Sequence, residues 1–154
     1  MLDELLPRRL DNEYRGNKFA LWLFGLVVAM KSAQSVAIIL TGYSTARGAD
    51  GIPLDSYTPA VAQTVVAVLA QGSVWRLFFC FVCALVLLRY RSAVPLMFAL
   101  FALNYVAGQL ILKFVPLLRV GAPVGPLVNL ILFVVMLVGL GLSLWGRGGS
   151  VAQG

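Results

Sequence analysis

The chain has 154 residues, 60% of them apolar and only 12% charged, and its mean hydropathy is +0.92. About a quarter of the residues of a soluble domain are charged, so this composition excludes an ordinary soluble protein and indicates an integral membrane protein. The formal net charge is +6, but the basic residues are spread over predicted helix ends and loops without interleaved aromatic side chains. We therefore expect no nucleic-acid partner.

Several kinds of chemistry are excluded by what the sequence lacks. It has no histidine, which removes histidine ligands for haem or metals and the commonest general base. It also has neither a Walker loop nor a dinucleotide glycine fingerprint. We expect no metal, no cofactor and no catalytic residues, and we favour a protein that is not an enzyme.

Four apolar stretches are each long enough to cross the roughly 30 Å hydrocarbon core as a helix of about 20 residues. They cover residues 18–42, 60–88, 94–115 and 124–145. The sequence therefore predicts an all-α fold, an integral membrane four-helix transmembrane bundle with short loops.

The segment before the first helix carries several leucines among charged residues. This composition predicts a short helix that lies on the membrane surface, and docking to a partner is the alternative. The predicted domains are therefore a short interfacial segment at residues 1–17, the transmembrane domain at residues 18–146 and a short tail at residues 147–154.

Hydroxyl residues followed by proline mark the predicted starts of the two middle helices. Thr58 and Ser92 are expected to act as capping residues, with Pro59 and Pro95 in the first turns. The fourth predicted helix is almost wholly apolar apart from Asn129. We expect it to be the helix most exposed to lipid.

The distribution of lysine and arginine predicts the orientation in the membrane. Seven of these residues lie on the side of the termini, at positions 8, 9, 15, 18, 89, 91 and 147, against three on the other side, at positions 47, 113 and 119. The positive-inside rule then predicts cytoplasmic N- and C-termini in a multi-pass protein of the plasma membrane, the inner membrane in a bacterium. The first loop, predicted at residues 43–58, would face outward. Its Asp50 and Asp55 are interpreted as turn and cap residues rather than substrate contacts.

Two cations interrupt the predicted helices. Lys31 is thirteen positions after Lys18, and Arg76 is thirteen positions before Arg89, so each is expected about 20 Å from the cytoplasmic face. A charge near the bilayer centre costs about 2.5–3.5 kcal/mol, and none of the predicted spans contains Asp or Glu. Amide side chains, water, an acidic residue of another subunit or a bound anion must compensate the two charges.

Polar and small neighbours predict that the two cations share a ligand-binding site. Gln34 and Ser35 lie on the same helical face as Lys31, and Gly72, one turn from Arg76, would permit close approach of another backbone. The candidate ligand-binding residues are Lys31, Gln34, Ser35, Arg76 and Asn104. The alternative is that the amides join the helices by interhelical hydrogen bonds without any ligand.

The two cysteines, Cys80 and Cys83, form a Cys-x-x-Cys pair on the second predicted helix. Such a pair in a small four-helix membrane protein resembles the architecture of the bacterial thiol-oxidase and vitamin K epoxide reductase families. This resemblance implies a quinone-linked thiol redox enzyme. However, the predicted orientation places the pair in the cytoplasmic half of the membrane, and no second cysteine pair exists to relay electrons. We therefore interpret both cysteines as small packing residues.

Three functions remain open, in this order. The first is a non-enzymatic accessory or assembly subunit that packs against a larger membrane complex, whose acidic residues would pair with Lys31 and Arg76. The second is a binder or transporter of an anionic lipid or small anion through the same two cations. The third is a redox enzyme that uses Cys80 and Cys83. The expected partners are membrane lipids and a larger membrane protein complex or a homo-oligomer.

Overall fold

The computed structural model describes residues 11–14 and 16–145, and this part of the chain is a bundle of four long α-helices. The helices are α1 (Lys18–Gly48), α2 (Pro59–Arg89), α3 (Val94–Phe114) and α4 (Val124–Trp145), with short 3₁₀ turns at Leu54–Ser56 and Arg91–Ala93. All four are long and apolar enough to cross a membrane. The prediction of an all-α four-helix transmembrane bundle is confirmed. The tail at residues 147–154 and most of the interfacial segment at residues 1–17 lie outside the described residues.

The first helix extends beyond its predicted end at Gly42 and stops only at Gly48. It bends at Thr41, whose backbone angles of φ −129° and ψ 40° are not helical. The Thr41 hydroxyl donates a hydrogen bond to the Ala37 carbonyl, with 2.8 Å between the oxygens. A hydroxyl bonded to the carbonyl four residues earlier is known to bend helices. Because α1 continues past this bend, the first loop is shorter than the sequence predicts.

The starts of the two middle helices agree only partly with the predicted caps. Thr58 occupies the N-cap position of α2 and Pro59 lies in its first turn, but the Thr58 side chain makes no capping hydrogen bond. Ser92 is not the cap of α3, because Ala93 holds that position. The Ser92 hydroxyl instead donates to the Asp11 carbonyl at 3.0 Å and accepts from the Asp11 N–H at 3.1 Å. It therefore fastens the N-terminal segment to the bundle.

The order of the helices around the bundle is α2, α1, α4, α3. The first helix packs against both α2 and α4, and α3 packs mainly against α4, whereas α2 and α3 share few contacts. In the core the Phe24 ring of α1 meets the Phe98 ring of α3 edge to face, with 5.0 Å between centroids. Gly139 of α4 makes room for this ring, because a Cβ at that position would overlap Phe98.

The expectation that α4 is the helix most exposed to lipid is wrong. In the most apolar window of each helix, 22% of α4 is buried inside the bundle but only 11% of α2. The physical reason is the helix order, since α4 lies between α1 and α3 while α2 packs chiefly on α1. Leu132, Met136, Gly139 and Ser143 are the buried residues of α4.

Backbone hydrogen bonds join the first and third loops at one end of the bundle, which we call the loop end. The Val120 N–H donates to the Gly51 carbonyl and the Gly125 N–H to the Ala49 carbonyl, each at 2.8 Å. Gly51 has φ +71°, a left-handed conformation that favours glycine. These contacts tie the end of α1 to the start of α4. We call the opposite end, where α1 begins and α4 ends, the terminal end.

Candidate functional site

Lys31 is half-buried and joins α1 to α4. Its Nζ donates a hydrogen bond to Oδ1 of Asn129, with 2.6 Å between the atoms. Asn129 was not among the candidate residues, although it is a polar residue in an otherwise apolar helix and this isolation was a usable signal. Isolated polar groups in membrane helices usually face other helices rather than lipid. The amide thus supplies a neutral acceptor for a charge that hydrocarbon would reject.

Arg76 lies on α2, and its side chain is exposed. Its positive charge interacts with that of Lys31, and both charges act on the same thiol, that of Cys80. The structure therefore brings the two cations into one region of the bundle. Because like charges repel, a group with negative charge or strong acceptor character between them would lower their free energy.

The helices α2 and α3 share few contacts, and one pair of aromatic rings meets between them. The rings of Phe79 on α2 and Phe101 on α3 meet edge to face, with 5.0 Å between centroids. Residues three apart share a helix face. Arg76 therefore lies on the face of α2 that carries Phe79, and Asn104 lies on the face of α3 that carries Phe101. Each is one turn nearer the loop end than the ring. Both are exposed. We call this region, with Arg76 on one wall and Asn104 on the other, the α2–α3 opening.

Lys31 on α1 and Asn104 on α3 lie at similar depths in the bundle. The two helices run in the same direction, and the Phe24 ring contacts the rings of both Phe98 and Phe101 on α3. Lys31 is seven positions beyond Phe24, whereas Asn104 is six beyond Phe98 and three beyond Phe101, so the two positions differ in depth by about 1.5–6 Å. The candidate residues Lys31, Arg76 and Asn104 therefore lie at similar depths, and Asn129, five positions into α4, accepts the hydrogen bond from Lys31.

The other two candidate residues contribute less to this region. Ser35 is fully buried, and its hydroxyl donates to the Lys31 carbonyl at 2.9 Å, so its proton is used within its own helix. Gln34 is half-buried on α1. Gly72 is exposed, and a Cβ there would have no described atom within 4 Å. The close backbone approach predicted at Gly72 is therefore absent from the described part of the chain.

Asp50 has an electrostatic role that the sequence did not indicate. Its carboxyl group is half-buried beside the first turn of α4, where a Cβ on Gly125 would come within 2.9 Å of Oδ1. Burial raises the pKa of this carboxyl, and the positive charges of Arg119 and Arg76 oppose that increase. A negative charge is also favourable at a helix N-terminus. The carboxylate of Asp50 in the first loop thus interacts with the positive charge of Arg76.

Asp55 joins the first loop to the last turns of α1. Its Oδ1 accepts a hydrogen bond from the Tyr43 hydroxyl at 2.8 Å, and its Oδ2 forms an ion pair with Nε of Arg47 at 2.9 Å. Both charged side chains are more than half exposed, so the ion pair is worth at most about 1 kcal/mol. Tyr43 and Asp55 also line an open pocket of about 490 Å³ at the loop end.

The two cysteines lie in the apolar core. Neither cysteine forms a disulfide, and 1% of Cys80 and 0% of Cys83 is exposed. They pack in the same cluster as Phe24, Val27 and Val28 of α1. This environment suits small packing residues, and neither thiol offers a surface that a protein substrate could reach.

Comparison with known proteins adds no relative. No family model, no curated protein and no solved structure matches the chain. The side chains of the site alone therefore indicate its chemistry. An ammonium, a guanidinium and two primary amides in one region can bind a carboxylate or a phosphate by charge-assisted hydrogen bonds.

Proposed function

We propose that this multi-pass membrane protein is a non-enzymatic accessory subunit of a larger membrane complex. The observation that supports this proposal is the α2–α3 opening, where Arg76 and Asn104 are exposed and α2 makes few contacts with α3. Another component of the membrane would cover these side chains. The protein would reside in the plasma membrane with both termini in the cytoplasm.

The energetic reason is the incomplete compensation of the two cations. Each charge costs about 2.5–3.5 kcal/mol at the bilayer centre. Lys31 recovers part of this cost through Asn129, and Arg76 recovers part through its interaction with Asp50. An acidic group on a partner would offset the remainder, because it would interact with both cations in a medium of low dielectric constant.

A second candidate is a protein that binds an anionic lipid or a small anion at the same place. The donor set favours this alternative, since Lys31, Arg76 and the amide of Asn104 match the oxygen atoms of a phosphate group. It predicts that an isolated monomer keeps a specific anionic lipid through purification.

Native purification in mild detergent, followed by mass spectrometry, tests both candidates. We expect a stoichiometric protein partner with the wild-type chain and its loss with the double variant Lys31→Met and Arg76→Gln. The variant Arg89→Gln, which removes a cation at the helix end, serves as the matched control and should keep the partner. A monomer without a protein partner would contradict the accessory-subunit proposal, and a lipid retained only by the wild type would favour the second candidate.

The orientation requires a separate experiment. Reporter fusions after Gly154 and within the loop at Asp50 should report a cytoplasmic C-terminus and an outward loop, because of the asymmetry in lysine and arginine. A C-terminal reporter that is active only outside the cytoplasm would reverse the topology.

A further inference from the structure

We infer that the α2–α3 opening receives a transmembrane helix of a different protein, and that this helix carries an Asp or Glu at the depth of Lys31 and Arg76. This inference rests on the proposed function and specifies the chemistry of the partner. The opening would then be an interface between helices, with a carboxylate held between the ammonium and the guanidinium.

The positions of Arg76 and Asn104 along α2 and α3 favour a helix side chain over a lipid phosphate. Asn104 lies ten positions from each end of α3 (Val94–Phe114), which is about 15 Å in either direction. Arg76 is likewise near the middle of α2, thirteen positions from Arg89. Lipid phosphates lie at the membrane boundary, outside the hydrocarbon core. A carboxylate in the middle of a transmembrane helix reaches this layer without displacing the bilayer.

The walls of the opening leave room for another helix. Gly72 lies one turn from Arg76 on α2, and Gly108 lies one turn from Asn104 on α3, in each case towards the loop end. A Cβ at either glycine would have no described atom within 4 Å. Glycine on both walls permits the backbone of an added helix to approach closely, as is common where membrane helices pack.

Charge complementarity identifies the occupant as a different chain. None of the four spans, all of which lie within the described residues, contains Asp or Glu. A second copy of this protein would therefore bring two further cations to this layer and no acid. The cations Lys31 and Arg76 interact with each other, so a carboxylate between them would lower the energy of both. Asn104 on the opposite wall would donate a further hydrogen bond.

A synthetic helix provides a direct test with the intact protein. The probe is a Leu/Ala peptide of about 20 residues with a central Asp, and the matched peptides carry Leu or Lys at the same position. Binding is measured by energy transfer between labelled protein and peptide in phosphatidylcholine bilayers, at a pH at which the carboxyl is ionised. We expect the Asp peptide to bind about 5- to 30-fold more tightly than the Leu peptide, the range of one polar contact between membrane helices.

Variants of the protein connect that preference to the opening. Arg76→Gln and Lys31→Met should each reduce the preference for the Asp peptide, and Arg76→Lys should retain most of it. Arg76→Glu should reverse the preference in favour of the Lys peptide. Lys113→Gln, which removes a cation at the end of α3, is the matched control and should change nothing. Thermal unfolding of each variant identifies any loss of binding that follows from misfolding.

Three outcomes would overturn the inference. Equal binding of the Asp and Leu peptides would exclude charge complementarity, and an unchanged preference in the Arg76→Glu variant would place the contact elsewhere. Competition by phosphatidylglycerol added to the bilayer, dependent on Arg76, would assign the opening to a lipid phosphate. The proposed function is tested separately by co-purification, since a partner retained by the double variant would leave the accessory role intact while removing its acidic helix from this opening.

Discussion

The hydrogen bond between Lys31 and Asn129 gives the sharpest test of how the bundle tolerates a buried cation. Replacing Asn129 by Leu keeps the branched shape of the side chain but removes the oxygen that lies 2.6 Å from Nζ. A hydrogen bond to a charged group contributes about 1.5–3 kcal/mol in soluble proteins. Polar contacts between membrane helices are weaker, reaching about 1.7 kcal/mol at most in double-mutant cycles. We therefore expect Asn129→Leu to lower the free energy of unfolding by about 1.5 kcal/mol, where the two ranges meet.

The companion variant is Lys31→Met, which removes the charge and keeps most of the apolar stem. Because it also removes the cost of holding an ammonium in the membrane and its repulsion with Arg76, we expect its stability to equal or exceed that of the wild type. In the Lys31→Met background, Asn129→Leu should then lower the free energy of unfolding by much less than it does in the wild type. The difference between the two costs is the coupling energy of the pair.

Equilibrium unfolding in mixed micelles, followed by the fluorescence of the three tryptophans, measures the four free energies of this cycle. Asn104→Leu is the matched control, since it makes the same substitution at an exposed amide and should change stability by less than about 0.5 kcal/mol. A coupling energy below about 0.5 kcal/mol would mean that the two sites are independent. That result would refute the view that Asn129 compensates the charge of Lys31.

Three further sets of substitutions test separate parts of the structure. Gly139→Ala should destabilise the bundle by about 1–3 kcal/mol, because the new methyl group would overlap an aromatic ring of α3; Gly141→Ala, which meets open space, should not, and unfolding in micelles distinguishes the two. Cys80→Ala with Cys83→Ala should cost stability only through lost packing and leave partner binding intact, and loss of a cellular phenotype at normal protein abundance would instead favour redox chemistry. The raised pKa of Asp50 means that its contribution to stability is full below the pKa of the unfolded state and is lost as the pH rises through the folded pKa. Unfolding measured across that acidic range should therefore show a stability loss with rising pH that Asp50→Asn removes.

The fold could be predicted from the sequence because lipid imposes a strong requirement on composition. A stretch of about 20 apolar residues must form a helix, since no other structure satisfies its backbone in hydrocarbon. The similar depth of Lys31 and Arg76 was predicted by counting residues to the charged helix ends. The lateral order of the helices was not readable in the same way, because short loops allow several arrangements. The amide of Asn129 was missed for this reason, since α4 and not α3 lies beside Lys31.

The role of Asp50 could not be predicted because it depends on the course of α1 beyond Thr41. With the helix ending near residue 42, the loop would have been long and its carboxylates remote from the membrane layer that contains Arg76. The bend and the additional turns of α1 instead bring the loop against the first turn of α4. The bend at Thr41 and the turns of α1 after it were not predicted, so the position of the Asp50 carboxylate could not be predicted either.

The two cations are compensated unequally, and this difference separates structural roles from binding. Lys31 has an acceptor within hydrogen-bonding distance on another helix, so its substitution alters the isolated protein as well as any complex. Arg76 is exposed and interacts with Asp50 only through their charges. If its role is confined to the isolated chain, Arg76→Gln should lower the stability and leave partner binding almost unchanged. If an external acidic group pairs with it, the same substitution should weaken the complex while the stability of the isolated protein stays within about 0.5 kcal/mol of the wild type. Stability and binding measured on this one variant therefore decide whether the charge is retained for the fold or for a partner.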